Sequence, residues 1–139
     1  MKRPPTDLQI LEEIYKRYYP SFSAFSPGNP TRSAKVFVPI DIMGIAKRFG
    51  VDPDIIFGRL YYHLQPKYGL VEPDGTRVSF FSLQIGSDEH CVQFPLLAAV
   101  IAELREERNK HLLITGLSIA AISISLVSLA ISIFARIPR

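Results

Sequence analysis

Reactive side-chain types are concentrated at one place in the sequence, the run Asp88-Glu89-His90-Cys91. A carboxylate, an imidazole and a thiol at neighbouring positions could bind a metal ion or activate a nucleophile. The surrounding pattern predicts a turn followed by a strand, however, and successive side chains of a strand point to opposite faces. The chain has three histidines and one cysteine, without CxxC, HxxxH or GxSxG spacing. The sequence therefore predicts no catalytic site, no metal and no cofactor.

The strongest feature of the sequence is an uncharged run of 23 residues, Leu112–Phe134. At about 1.5 Å of rise per residue, a helix of this length spans roughly 34 Å, enough to cross a hydrocarbon core of about 30 Å. We therefore predict a single-pass transmembrane helix in contact with membrane lipid. The alternative is a buried or interfacial helix, although core helices of soluble proteins rarely stay uncharged for so long.

The segments on either side of this run set the expected orientation. Met1–Thr6 is followed by no apolar stretch of the kind that forms a signal peptide. Three basic residues precede the span closely and two follow it, a weak bias towards a cytoplasmic N-terminal side. The single cysteine, Cys91, excludes an internal disulfide and suits a reducing compartment. The expectation is a membrane protein whose N-terminal domain is cytoplasmic.

The net charge of +3 is unevenly distributed along the chain. Residues 1–104 carry 11 basic and 11 acidic side chains, so this part is neutral. The excess lies beside and beyond the predicted span, where Lys and Arg meet anionic lipid headgroups. This distribution gives the N-terminal part no general attraction to nucleic acid.

The sequence pattern divides the chain into five parts: an N-terminal tail at 1–5, a folded domain at 6–94, an amphipathic connecting helix at 95–111, the transmembrane helix at 112–134 and a short tail at 135–139. Helical spacing and capping residues predict helices over 6–19, ended by Pro20, and then over 41–49 and 53–64. Strands are predicted at 35–40, 69–71, 77–85 and 89–94.

Residues 20–34 are rich in Pro, Ser and Gly, and this composition predicts an irregular loop. Long irregular loops are usually functional or disordered. This one is interpreted either as a mobile connector or as a segment that orders on a partner, with Phe22 and Phe25 as anchors.

The stretch Ile45–Leu64 resembles a helix-turn-helix. The matching positions are a small residue where the helices touch, Gly and Val at the turn and two apolar residues of the second helix: Ala46, Gly50, Val51, Ile56 and Leu60. With a strand before it and a hairpin after it, residues 6–104 resemble a winged-helix domain, which implies an α+β fold of three helices and a small antiparallel sheet. The alternative is a different small α+β domain with one tight helical corner.

Winged-helix domains mostly bind DNA by placing the second helix of the corner in the major groove. The exposed positions of that helix are predicted to be Asp52, Pro53, Asp54, Phe57, Gly58 and Tyr61. Two of them are acidic and none is basic, whereas base edges and phosphates are bound by polar and basic side chains. The predicted wing turn, residues 72–77, adds one cation, Arg77, beside two carboxylates. A nucleic-acid partner therefore stays open but is disfavoured.

Exposed aromatic side chains rimmed by charges are typical of a protein-binding surface. We therefore predict a cytosolic protein partner, bound by residues of the second helix and the wing: Asp54, Phe57, Arg59, Tyr61 and Arg77. The alternative is that Tyr61 and Tyr62 pack inside the domain.

Small residues recur along the predicted transmembrane helix at steps of three and four. This small-residue stripe contains Ser118, Ala121, Ser125, Ser128 and Ser132. In lipid, small residues let helices approach closely and serine hydroxyls bond between helices, so we expect a homo-oligomer. Small residues are frequent throughout the span, and the spacing can also arise by chance. The serines could instead line a polar path, but no ionisable residue within the span marks one.

These features predict a non-enzymatic, membrane-anchored winged-helix module that binds a protein partner, as an adaptor or sensor, and self-associates. Two alternatives stay open: a membrane-tethered transcription regulator and a membrane-disrupting effector of a toxin or phage-defence system.

Overall fold

The computed structural model describes residues 3–136 of the chain. The chain forms two compact units, Met1–Ala102 and Glu103–Arg139. The first unit is an α+β domain with a small antiparallel sheet, and the described part of the second is helical. The predicted α+β class is confirmed at this level.

The first helix, α1, covers Asp7–Ser23 and buries Ile10, Leu11 and Ile14. The Thr6 hydroxyl accepts a hydrogen bond from the Gln9 amide, and the Gln9 side chain accepts one from the Thr6 amide. This reciprocal capping box satisfies two free donors of the first turn.

The prediction that Pro20 ends α1 is wrong, because the helix continues for three further residues. A proline removes its own N–H but keeps its carbonyl as an acceptor. The amide of Ala24 and the hydroxyl of Ser23 both donate to the Pro20 carbonyl, each at 3.1 Å. The last turn of α1 is therefore closed on the proline.

The segment that follows α1 is organised by Arg32, which is only 6% exposed. Its guanidinium and Nε donate to four backbone carbonyls at 2.7–3.3 Å, those of Ser21, Phe22, Ala34 and Lys35. Burial lowers the pKa of the guanidinium, and the Asp88 carboxylate opposes this shift. One side chain thus joins the last turn of α1 to the segment that leads into the first strand.

The predicted irregular loop is confirmed for residues 24–34, whereas residues 20–23 belong to α1. Phe22 and Phe25, which one interpretation of the sequence made partner anchors, have contacts inside the first unit. The guanidinium carbon of Arg32 lies 4.7 Å from the Phe25 ring centroid and 5.8 Å from that of Phe22. The Phe22 ring also stacks on Phe94 at 4.6 Å between centroids. Both rings are held within the folded unit.

A tight helical corner forms where the sequence predicted it. Helix α2, Ile42–Phe49, is capped by the Asp41 carboxylate, which accepts from the Gly44 amide at 3.0 Å. It ends at Gly50, whose φ of 65° lies in the left-handed region that favours glycine. Helix α3, Pro53–Gly58, begins three residues after Gly50 with Asp52 as its cap.

The helix after this corner is longer than predicted and changes its winding. It continues from α3 as a π-helical segment over Arg59–Leu64 and then as helix α4 over Gln65–Tyr68. The predicted end at Leu64 is therefore four residues too early. Ile56, Leu60 and Leu64 are fully buried along its inner side.

The strands form two antiparallel sheets. Strands β1 (Phe37–Pro39), β4 (Phe81–Ile85) and β5 (Asp88–Gln93) form a three-stranded sheet in the order β1-β5-β4. Strands β2 (Leu70–Val71) and β3 (Arg77–Val78) form a separate hairpin around the predicted turn. The run predicted as one strand over 77–85 is thus divided between two sheets.

We call the continuous helix over residues 53–68, made of α3, the π-helical segment and α4, the long helix. The core of the first unit lies between α1, α2, the long helix, the start of α5 and the three-stranded sheet. Its largest fully buried side chains are Phe80, Phe81, Phe94, Ile10, Leu11, Ile14, Ile45, Ile56, Leu60, Leu64, Leu97 and Val38. Phe94 is part of the last helix and stacks against Tyr15 and Phe22 of α1, with ring centroids 5.4 and 4.6 Å apart.

The last helix, α5, covers Phe94–Ala135 without interruption. Its first turns bury Phe94, Leu97, Val100 and Ile101, and every residue of 105–136 is exposed. The predicted connecting helix and span therefore belong to one element, which begins one residue before Pro95. Within residues 3–136, α5 is the one helix long and apolar enough to cross a membrane. Part of the predicted 135–139 tail, residues 137–139, lies outside the described residues.

Candidate partner-binding surface

Five rings of the first unit form what we call the aromatic cluster: Phe57, Tyr61, Tyr62, Phe81 and His90. Phe57 is its centre. It stacks on Tyr61 at 5.5 Å between centroids and presents edge-to-face contacts to Tyr62, Phe81 and His90 at 6.4, 6.1 and 6.0 Å. Offset and edge-to-face arrangements of this kind are the favourable ones for aromatic pairs.

The π-helical segment explains why Tyr62 belongs to this cluster. Five positions along a regular α-helix correspond to a rotation of about 140° beyond one full turn, which would separate Tyr62 from Phe57. In a π-helix the hydrogen bonds run from i to i+5, so residues five apart lie close to one face. Tyr61, four residues from Phe57, lies on the same side of the helix in either winding. The winding of Arg59–Leu64 brings Tyr62 towards that side as well.

The rings differ in exposure, so the two interpretations made from the sequence, an exposed surface and packing inside the domain, apply to different tyrosines. Tyr62 is 73% exposed, whereas Phe57 and Tyr61 are half-buried and Phe81 is buried. Tyr61 thus packs partly inside, and Tyr62 does not. The surface therefore consists of the half-buried rings of Phe57 and Tyr61 and the exposed ring of Tyr62.

A depression of about 360 Å³ lies on one side of the cluster, at the N-terminal ends of α2 and α3. Its apolar lining includes Phe57 and Met43, and Met43 is 70% exposed. Asp41 and Asp54 also line it, and none of its lining residues is Lys or Arg. This depression therefore combines an apolar floor with an acidic rim.

The two aspartates have different surroundings. The Asp41 carboxylate is engaged as the cap of α2. Asp54 is exposed in the first turn of α3, and its amide donates to the Asp52 carboxylate at 2.9 Å. Carboxylates at a helix N-terminus interact favourably with the helix dipole, so both aspartates suit the positions they occupy.

His90 connects the depression to the sheet. Its φ of 51° is the one left-handed value among the non-glycine residues that the structure describes. Its carbonyl accepts from the Ile40 amide at 3.0 Å, and its ring stacks in parallel on Phe81. Unfavourable backbone conformations of this kind persist where the surrounding structure fixes them and are frequent at functional sites.

A second depression, of about 680 Å³, lies on the other side of the cluster. Tyr61, Tyr62, Gln65 and Pro66 of the long helix line one wall, and residues 79 and 81–84 line the other. No lining residue carries a charge. The aromatic cluster thus separates an acidic depression from a neutral one.

Three of the five predicted partner-binding residues meet at this surface, and two do not. Asp54, Phe57 and Tyr61 line the depressions. Arg59 instead forms an ion pair with Asp7 at the start of α1, 2.6 Å between nitrogen and oxygen. Arg77 is exposed on β3, outside the residues that line either depression.

The sequence run that suggested reactive chemistry is used for structure. Cys91 is fully buried, and its thiol lies 3.6 Å from the Asp88 carbonyl. Burial raises the pKa of this thiol, with a smaller contribution from the Asp88 charge, so it is protonated at neutral pH. The Asp88 carboxylate accepts from the Ser33 amide at 2.6 Å. Within residues 3–136 no group of three or more His, Cys, Asp or Glu side chains could hold a metal ion.

The serines of α5 are bonded within their own helix. The hydroxyls of Ser118, Ser125 and Ser128 donate to the carbonyls four residues earlier at 2.9–3.0 Å. The small-residue stripe therefore offers another helix small side chains that permit close approach. The hydroxyls of these serines already donate within α5.

Comparison with protein-family models, with curated proteins and with solved structures found no match for this chain.

Proposed function

We propose that this protein is a non-enzymatic, membrane-anchored winged-helix module that binds a protein partner as an adaptor or sensor and self-associates through α5. The observation that carries the proposal is the aromatic cluster, whose exposed part lies between two depressions of a domain that ends in a long apolar helix. Solvent-exposed aromatic groups with depressions beside them are typical anchor sites of protein interfaces.

The order of the elements supports the winged-helix part of the proposal. Helix α1, strand β1, the α2–α3 corner and the antiparallel pair β4–β5 occur in this order, with the β2–β3 hairpin between the corner and the pair and with β1 added to β5. In this interpretation the long helix takes the place of the recognition helix. The Gly86-Ser87 turn, which joins β4 to β5, takes the place of the wing in this proposal, instead of the turn at residues 72–77 that the sequence suggested, because β2 and β3 form a separate sheet.

The exposure of α5 supports the membrane part. The side chains of Leu112–Phe134 are uncharged, and all of them are exposed in this structure. Burying apolar surface stabilises by about 25 cal/mol per Å², so lipid is the favourable surrounding for such a helix. In this proposal the N-terminal domain lies on the cytoplasmic side, which the small bias of Lys and Arg towards the N-terminal flank of the span favours.

The proposed partner is a protein rather than DNA, because the outer face of the long helix starts with two carboxylates. Asp52 and Asp54 would face phosphates across a groove, and no Lys or Arg lines either depression. Binding to phosphates depends on releasing counterions through Lys and Arg. The acidic rim instead favours a partner segment with an apolar and a basic side chain.

A photo-reactive residue placed at Met43 tests the partner-binding surface in the full chain in its native membrane. Met43 lines the acidic depression and is 70% exposed, and Val71 on β2 is a matched control at 69%. We expect a specific cross-linked protein from position 43 that is lost with Phe57→Ala and is not formed from position 71. Equal cross-linking from both positions would contradict the proposal.

A membrane-tethered DNA-binding regulator is the second candidate, favoured by the α2–α3 corner next to the antiparallel sheet. Titration of mixed duplex DNA onto the full chain in neutral lipid nanodiscs, at low and moderate salt, separates the two. We expect no binding at either salt concentration. Binding that weakens steeply with salt would replace the adaptor by the regulator.

A further inference from the structure

Strand β4 lies at the outer edge of the three-stranded sheet, since the order is β1-β5-β4. Edge strands offer backbone donors and acceptors to another chain, and natural proteins usually protect them with charged residues or proline. The β4 sequence, Phe-Ser-Leu-Gln-Ile, contains neither. Leu83, at its centre, is 45% exposed. This edge therefore lacks protection by charge or proline, while the long helix lies beside it at Phe81, whose amide donates to the Gln65 side chain.

The neutral depression lies along the same edge. Its walls come from β4 and from the long helix, and none of its lining residues is charged. An incoming strand would therefore meet exposed apolar and amide side chains, without a charge that selects a basic or acidic partner. The chemistry of this edge fits an uncharged strand.

The sequence of β4 is complementary to itself. Gln65 accepts from the Phe81 amide at 2.7 Å, and the Ser82 hydroxyl donates to the Gln84 carbonyl at 3.1 Å, so the proposed pairing is centred on Leu83. In an antiparallel pair centred on Leu83, Leu83 lies opposite Leu83 and Ser82 lies opposite Gln84. Apolar then faces apolar and polar faces polar, which is the arrangement that stabilises cross-strand pairs.

We infer that β4 pairs antiparallel with β4 of a second copy of this chain, about a two-fold axis at Leu83, so that two three-stranded sheets form one six-stranded sheet. A two-fold interface uses the same residues on both subunits, as this strand allows. The inference rests on the membrane anchoring in the proposed function. A short strand pair is marginal in water, and anchoring in one membrane raises the local concentration of copies.

Disulfide cross-linking of the full chain in membranes tests this pairing. Cys91→Ala removes the native thiol, and Leu83→Cys is compared with Leu70→Cys, an exposed leucine on β2 of similar exposure, 50% against 45%. Opposed strand residues have Cα atoms about 4.5–5.5 Å apart, within reach of a disulfide. We expect a severalfold larger cross-linked fraction from position 83 than from position 70.

The register is tested with a mixture of two variants. Ser82→Cys and Gln84→Cys, expressed together, should cross-link to each other more than either does to itself. A cross-linked fraction at 83 no larger than at 70 would overturn the pairing, as would stronger self-linking at 82 than in the mixture.

Two further results separate this inference from the proposed function. Retention of the chain in membranes after carbonate washing shows that anchoring holds, so that a missing cross-link at 83 then counts against the strand pairing alone. Leu83→Lys should abolish cross-linking between Cys residues at 82 and 84, whereas Val71→Lys, on β2, should leave it unchanged. A photo-reactive residue at 83 that captures another protein and not a second copy would show that the edge accepts a partner strand and would overturn the inference.

Discussion

Phe57 and Tyr62 are five residues apart on one helix, yet their rings meet edge to face with centroids 6.4 Å apart. This relationship depends on the π-helical winding of Arg59–Leu64, because five residues of regular α-helix would turn Tyr62 away from Phe57. The rest of the candidate surface is arranged around this pair. Phe57 is half-buried at the centre of this surface, and the Tyr62 ring is exposed to solvent.

The different burial of these two rings predicts different effects of truncation. Tyr62→Ala should change the free energy of unfolding by less than about 0.5 kcal/mol, because the ring is exposed. It should weaken partner binding by about 1–2 kcal/mol, or roughly tenfold, as removal of an interface anchor does. Thermal unfolding and partner titration of the full chain in nanodiscs measure the two effects. Val71→Ala is the control, and equal effects of the two variants on binding would contradict the assignment.

Phe57→Ala should reduce both stability and binding. The half-buried ring contacts four others, and its loss is expected to cost about 2 kcal/mol of unfolding free energy, less than for a fully buried phenylalanine. Phe57→Leu should recover most of the stability but not the binding, since the ring contacts are absent. Thermal melts and partner titrations of both variants distinguish a binding role of the ring from a purely structural one. In a purely structural role, Phe57→Leu would recover both stability and partner binding.

Arg32→Met should destabilise the first unit by about 3 kcal/mol, because four carbonyls lose a charged donor within the fold. Arg32→Lys should recover only part of this, since a single ammonium cannot reproduce the planar arrangement of donors. Arg77→Met, at an exposed arginine of β3, is the control and should remain within about 0.5 kcal/mol of wild type. Thermal unfolding in one detergent measures all three, and an unchanged melt for Arg32→Met would contradict the role of this side chain.

The raised pKa of the Cys91 thiol leads us to expect that the free energy of unfolding depends on pH. Burial raises the pKa of this thiol in the folded chain, while an unfolded cysteine titrates near pH 8.5. Above about pH 8.5 the unfolded chain loses this proton first, so the unfolding free energy should fall as pH rises towards the folded-state pKa. Cys91→Ala should remove this part of the slope. Denaturation of both proteins between pH 7 and 9 measures the difference, and parallel curves would show that the thiol does not contribute.

Because the serine hydroxyls of α5 donate within their own helix, we expect self-association to depend on the size of these side chains and not on their hydroxyls. The Ser125 hydroxyl already donates to the Ala121 carbonyl at 2.9 Å, so Ser125→Ala should change association by less than about 0.6 kcal/mol. Ser125→Leu should weaken it strongly, because close approach depends on small volume. Energy transfer between labelled chains at increasing lipid dilution measures association, with Leu126→Ile as the control. A larger effect of alanine than of leucine would show that the hydroxyl, and not the size, matters.

The elements set by neighbouring residues could be predicted from the sequence. The corner at Gly50 and the start at Asp52-Pro53 depend on one left-handed residue, one cap and one proline, which are visible in the chain itself. The turn at Gly75, with its φ of 86°, was found for the same reason. The apolar helix was identified by length and composition alone.

The features that depend on distant residues could not be predicted. Arg32 was correctly assigned to a loop, but its buried role was not predicted, because its four acceptors come from both ends of the segment. Arg59 was assigned to the partner-binding surface, but its partner is Asp7, far away in the chain. The π-helical winding has no local sequence signal, so Tyr62 could not be joined to Phe57 in advance.

The position of Arg32 has a consequence for how the domain opens. A stretch of Pro, Ser and Gly at the surface would ordinarily be the first place a protease cuts. Here, separating residues 21–22 from 34–35 breaks the hydrogen bonds of the Arg32 guanidinium to four carbonyls. It also removes the contacts of Arg32 with the Phe22 and Phe25 rings. Opening of this stretch is therefore coupled to the last turn of α1, and cleavage within it requires the local unfolding of both.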